Sequence, residues 1–386
     1  KGALGANTTA NDNTAVGDSA MLANTTGTQN VAVGKSALLV NTTGDQNTAV
    51  GVLALDANTT ADNNVAVGYA ALSTVTTGAN NVAIGTRALN VNAASNNVAI
   101  GLSAARYTST GTGNVAIGYL AFEDNTTGTR NTAVGGYSLD ANTTANDNVA
   151  VGWGALTANT TGASNTALGT TALEANTTAS NNTVVGYNAM STNTTGASNV
   201  AMGMNALLTN STGDYNVALG GSAMYYNTTA DANTAIGYAA LNANTTGADN
   251  VAVGGYALDA NTTANDNTAV GYAALTANTT GASNTAVGRG AMQANTTATG
   301  NSAFGYGALG VNTTGIDNVA VGGYALDANT TASDNTAVGY ASLTANSTGA
   351  NNVAVGRGAL QVNTTGASNV AVGYAALDAN TTASYN

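Results

Sequence analysis

Residues 13–29, NTAVGDSAMLANTTGTQ, and residues 30–46, NVAVGKSALLVNTTGDQ, are one pattern written twice. Both reduce to N-[T/V]-A-[V/I/L]-G-x-x-A-[L/M]-x-x-N-T-T-[G/A]-x-x, which recurs along the whole chain. Its glycine falls at Gly17, Gly34, Gly51, Gly68 and Gly85, then at Gly101, Gly118 and every seventeenth residue to Gly373. Twenty steps of 17 and one of 16 connect 22 signatures. The short step, Gly85 to Gly101, coincides with the degenerate stretch Asn92-Ala93-Ala94-Ser95, and the NTT triplet is lost again between Arg106 and Gly113. A single uninterrupted repeat domain over 1–386, with irregular coils near 92–113, is therefore expected. Above this period four units form a 68-residue block, since 250–317 and 318–385 both begin NVAVGGYALDANTTA. Duplication of whole blocks points to selection for length and surface rather than for one special pocket.

Seventeen residues are too few for a helical repeat, which needs 33 or more. The unit has no apolar stripe at helical spacing, and Gly, Asn and Thr in every unit weigh against helix. It fits one turn of an all-β, parallel β-solenoid of about 22 coils. Two short strands per coil are expected, near Thr14–Gly17 and Ser19–Leu22, separated by a bend and closed by the NTT loop. Side chains alternate across a strand. Position 16 and its equivalents, always Val, Ile, Leu, Met202 or Phe304, are expected to face inward, as are Met21, Leu38, Leu55 and their equivalents. That assigns two large apolar side chains to the core of each coil. Position 15 is Ala in every unit but one, Val184, which implies a tight steric limit imposed by a second sheet or a neighbouring chain. The Asn opening each unit, Asn13 to Asn386, is placed to form an amide ladder between coils ~4.8 Å apart. The glycine after the strand suits a bend or a positive φ. One coil cannot offset its own backbone entropy, so stability must come from coil-on-coil pairing, as in other nearest-neighbour arrays. Stacked at ~4.8 Å, the coils would make a rod about 105 Å long.

Composition removes several function classes. Lys and Arg number only seven and the net charge is −12, against what nucleic-acid binding requires. No apolar run approaches the ~18 residues of a membrane helix. With no Cys, both disulfides and thiol chemistry are missing, and composition leaves the redox compartment undetermined. Both ends cut through a repeat, so the segment reads as part of a longer chain and the lack of a signal peptide carries no weight.

The runs NVAVGYAAL (64–72) and NVAIGTRAL (81–89) resemble the head repeats of YadA-like trimeric autotransporter adhesins, and with the NTTG loop they are also similar to repeats of phage tail fibres and other surface fibres. The resemblance covers essentially the whole chain. It implies a left-handed parallel β-roll, three chains side by side, an extracellular, cell-surface or virion-surface location, and no catalysis. The period differs: the adhesin unit is nearer 14 residues, and the additional residues here lie in the NTT loop.

Candidate sites follow from the loop and the surface. N-T-T or N-S-T triplets make formal N-glycosylation acceptors of Asn7, Asn24, Asn41, Asn58, Asn125, Asn142, Asn159, Asn176, Asn193, Asn210, Asn227, Asn244, Asn261, Asn278, Asn295, Asn312, Asn329, Asn346, Asn363 and Asn380. The plainer reading is that these Asn and Thr stack as loop ladders, and duplication of one loop makes their number uninformative. Tyr69, Tyr119, Tyr238, Tyr272, Tyr306, Tyr340 and Tyr374 follow the glycine directly, while Tyr137, Tyr256 and Tyr324 come one residue later. They form either a strip for carbohydrate or partner binding or a cover for an outer face or interface. Asp249 with Asp266, and Asp317 with Asp334, occupy equivalent places in adjacent coils, yet the calcium nonapeptide is missing and no carboxylate stands out as catalytic. No metal, cofactor or enzymatic activity is expected. The functional expectation is a passive extracellular fibre, stalk or adhesin that self-associates laterally or end to end and meets host or environmental surfaces or glycans. A tail-fibre shaft is the alternative, and an ice-binding solenoid a more distant one, since adjacent Thr in a loop do not give a T-x-T register.

Overall fold

Three residues per coil take up extended backbone, always the triplet of Thr, Val or Ser, then Ala or Val184, then an apolar residue, just ahead of the repeat glycine. The computed structural model describes residues 2–386, and among these it contains 22 strands and no helix. The chain divides into two compact units, Lys1–Thr195 and Gly196–Asn386. The first carries β1 (Thr14–Val16) through β11 (Thr183–Val185), and the second β12 (Val200–Met202) through β22 (Val370–Val372). Within each unit neighbouring strands pair in parallel, with Thr14 opposite Val31 and Val251 opposite Thr268, so the pairing step equals the repeat. At the short step Val82 pairs with Val98, and the ladder continues without a bulge. Each unit is a parallel β-solenoid.

The expected second strand does not form. Ser19 has φ 59° and Met21 φ 53°, and their equivalents repeat these values, so left-handed residues recur two apart through the turn at 18–23. A third left-handed position precedes the opening Asn, at Asp12 (φ 60°) and its equivalents. Such conformations cost a side-chain-bearing residue on the order of 1 kcal/mol. Coil-to-coil hydrogen bonds offset this: the Met21 amide donates to the Ala37 carbonyl at 2.9 Å and the Leu38 amide to Ala54 at 2.9 Å.

The inside and outside of the strand are also the reverse of expectation. Ala32, Ala49, Ala66 and their equivalents are fully buried, as is Val184, whereas Ile84, Met202 and Phe304 are about 40% exposed. The steric limit read at the Ala position is the coil's own interior. That interior is narrow. It holds two alanines, one Leu, Met or Phe (Leu38 or Phe122, for example) and two asparagines per regular coil, all fully buried, so one large apolar side chain per coil fills the core rather than two.

Buried amides do much of the remaining work, in two columns. In the first, the amide of Asn30 donates to Asn13 Oδ1 at 2.9 Å and that of Asn47 to Asn30 Oδ1 at 2.8 Å, while each Nδ2 reaches a carbonyl 14 residues on. This is the anticipated ladder, carried largely by backbone N–H. In the second, Asn41 Nδ2 donates both to Asn24 Oδ1 at 2.8 Å and to the Gly44 carbonyl at 2.9 Å, using both of its hydrogens. Thr42 continues the loop ladder, its Oγ1 donating to the Thr59 carbonyl at 3.0 Å.

Val75 interrupts the second column, standing fully buried where an Asn stands in most coils. Asn58 Oδ1, one coil below, is consequently buried without a hydrogen-bond partner. Val75→Asn is expected to supply that donor and stabilise these coils by about 1–2 kcal/mol. Amide hydrogen exchange over residues 58–78 should slow by roughly fivefold to thirtyfold; unchanged or faster exchange would mean that the gap is not a defect.

Candidate functional site

The outward side of the strands is a partly exposed, uncharged surface. Val31 and Val33 in β2 (Val31–Val33), Val65 and Val67 in β4 (Val65–Val67), and Val251 and Val253 in β15 (Val251–Val253) all point away from the core and are half-buried. At the first of these two positions every coil has Val, Thr or Ser302, and at the second an apolar residue; none is charged. Each unit thus presents two columns of β-branched and larger apolar side chains on a parallel sheet. Contiguous exposed apolar surface of this kind marks an interaction site more often than chance.

On the side beyond the glycine, aromatic rings stack in a zigzag. Tyr238, Tyr256 and Tyr272 meet edge to face with centroids 5.5 and 5.9 Å apart, and Tyr306, Tyr324 and Tyr340 repeat this at 5.2 and 6.0 Å. Between the two trios Arg289 lies 5.9 Å from the centroids of both Tyr272 and Tyr306. In the first unit Tyr119, Tyr137 and Trp153 make a third trio, at 5.3 and 5.2 Å. The hydrogen bond to Tyr119 pushes the Tyr137 hydroxyl above its ordinary pKa. Alternation between the first and second residue after the glycine in adjacent coils produces the zigzag.

No protein-family model and no curated protein matches this chain.

The sequon asparagines lie inside the coil. Eighteen of the twenty are fully buried, and Asn7 and Asn380, in the end coils, are half-buried. Attaching a glycan consumes one of the two amide hydrogens and needs an open path to Nδ2. In a ladder such as Asn244–Asn261–Asn278 both hydrogens are bonded, at 3.0 Å to the neighbouring amide and at 2.9–3.1 Å to a loop carbonyl. In the folded coil these amides have neither hydrogen left unbonded.

Asp249, Asp266, Asp317 and Asp334 are all exposed, on the left-handed residue before the opening Asn, and the described residues contain no group of three or more His, Cys, Asp or Glu placed to hold a metal. A different acidic group shows a perturbation: burial, with Asp124 and Glu123 nearby, pushes Asp140 up to about 6. Its Oδ1 is buried with no hydrogen-bond partner, and Glu123 is drawn toward Arg106 at 3.5 Å. Among the described residues no helix is long and apolar enough to cross a membrane.

Proposed function

We propose that this chain is the non-catalytic shaft of a surface fibre in which solenoids associate side by side, outward sheet against outward sheet. The uncharged double column of valines and threonines carries this reading. It runs through every strand while the flanking surface positions vary among Asp, Lys, Gln, Tyr and Thr. Burying a half-exposed Val on each strand gains roughly 25 cal/mol per Å² of apolar area, and the gain is repeated in every coil, so a weak contact per coil becomes a strong one per chain. The repeat's likeness to adhesin heads favours three copies and an extracellular setting. A tail-fibre shaft would use the same face in the same way.

Sedimentation velocity tests it. The 37.4 kDa chain should sediment as a multiple of its own mass at micromolar concentration. Val251→Asp with Val253→Asp and Val319→Asp should return it to monomer while the circular dichroism stays that of the parent, because these side chains do not contribute to the interior. A monomeric parent protein would remove the proposal.

A further inference from the structure

The 68-residue block places an arginine against tyrosine rings twice. Arg289 sits between Tyr272 and Tyr306, and Arg357, 68 residues on, lies 5.7 Å from the centroid of Tyr340. Each arginine is followed by a glycine in the left-handed region, Gly290 (φ 64°) and Gly358 (φ 67°), where many other coils carry a longer side chain such as Ser, Asn, Tyr or Leu. Without those side chains the surface is hollow. A recess of about 310 Å³ opens beside Arg289, walled by Tyr272, Tyr306, Gln293, Tyr324 and Asp327, and Gly307 and Gly310 deepen it. A smaller one, about 150 Å³, opens beside Arg357 with Tyr340, Gln361 and Tyr374 as walls.

The lining has a specific chemistry. Neither Arg289 nor Arg357 forms an ion pair with a described residue, whereas Arg106 and Arg130 pair with Glu123 and Asp147 at 3.5 and 2.6 Å. The rings lie within cation–π range of the guanidinium, and its planar fork of N–H donors can serve a ligand. Tyr272 and Tyr306 are about half exposed, so an apolar ring face is open to stack against. Arg289 and Asp327 bring opposite charges to one recess, and a net-charged ligand gains little from the pair. Hydroxyl groups, which both donate and accept, match this mixture of guanidinium and amide donors with carboxylate and amide acceptors. We propose that the Arg289 recess binds a neutral hexopyranose unit of a polysaccharide, stacked on tyrosine and hydrogen-bonded by Arg289, Gln293 and Asp327. The Arg357 recess repeats the arginine, glutamine and paired tyrosine walls and is assigned the same ligand. The site needs only one chain and is independent of lateral association.

Isothermal titration of the full chain with cellohexaose, maltohexaose and mannohexaose, and with hexagalacturonate as the acidic comparison, tests this. At least one neutral hexasaccharide should bind, and Arg289→Ala should weaken it about tenfold or more. Arg130→Ala, whose side chain pairs with Asp147 in the other unit, should leave affinity unchanged. Tyr306→Phe retains the ring face and should keep most of the binding, which separates stacking from a general loss of fold. Absence of heat with every neutral sugar up to about 10 mM overturns the assignment. So does binding of hexagalacturonate alone, or binding that Arg289→Ala does not change.

Discussion

Gly271→Ala is expected to destabilise the second unit by ~3 kcal/mol or more, among the largest effects a single methyl group can have in this protein. Gly271 has φ 136°, far outside the left-handed well that Leu, Ser and Asp occupy elsewhere in the coil at φ near 55°. A Cβ there would also lie 2.6 Å from both the carbonyl carbon and oxygen of Gly288, and backbone cannot step aside as a flexible side chain can. Ala273→Gly is the internal comparison. Its φ of 55° suits glycine, so the change should shift stability by well under 1 kcal/mol. Urea unfolding followed by circular dichroism measures both. Since an array opens locally, hydrogen exchange over 254–305 should localise the damage to the mutated coil and its neighbours. If Gly271→Ala unfolds with the parent midpoint, the glycine bend is not the constraint described.

Asn261→Val should come next, at about 2–5 kcal/mol. Asn261 Nδ2 donates to Asn244 Oδ1 at 3.0 Å, and its Oδ1 accepts from Asn278 Nδ2 at 3.0 Å, so one substitution strands a buried group on each side. The protein already contains one version of this defect, at Val75, beside the unpartnered Asn58 Oδ1. Adding Asn244→Val to Asn261→Val should cost less than the sum of the two, because the bond they share is lost only once. Strict additivity in that double-mutant cycle would show that the column is a set of independent side chains.

The period, the all-β class and the parallel stacking were legible because each rests on spacing, which the chain displays 22 times over. The direction of the side chains was not, since alternation fixes only which residues share a face. A usable signal was present nonetheless. The residue before the glycine varies from Val to Met202 and Phe304, a range of size that only an open face tolerates, while the neighbouring Ala is almost invariant because the interior admits little more than a methyl group. The missing second strand escaped for another reason. Leu and Met are poor candidates for positive φ, and nothing in Ser19–Leu22 announces two left-handed residues held by bonds to the next coil. The recess at Arg289 was hidden in the block repeat itself. The glycines read as conformational punctuation, and only the stacked coils reveal that Gly290 and Gly307 stand at equivalent places in adjacent coils, with Gly310 close by, beside an arginine.

The 16-residue step shows where the coil has slack. Between Asn81 and Asn92 the usual eleven-residue spacing is kept, and the lost residue lies between Asn92 and Asn97, where Asn92 Nδ2 reaches the carbonyl two residues ahead at 3.0 Å instead of three. Strand register survives unchanged on both sides. A gene that repeats one pattern in this way is prone to misaligned recombination, and an exchange that removes or inserts one whole module apposes coils with the same donors, acceptors and glycine bends as before. Chain length can therefore drift between generations without a new folding problem, whereas an indel between strand and bend would shear both amide columns at once. Natural variants of this gene should differ in module number far more readily than in module design.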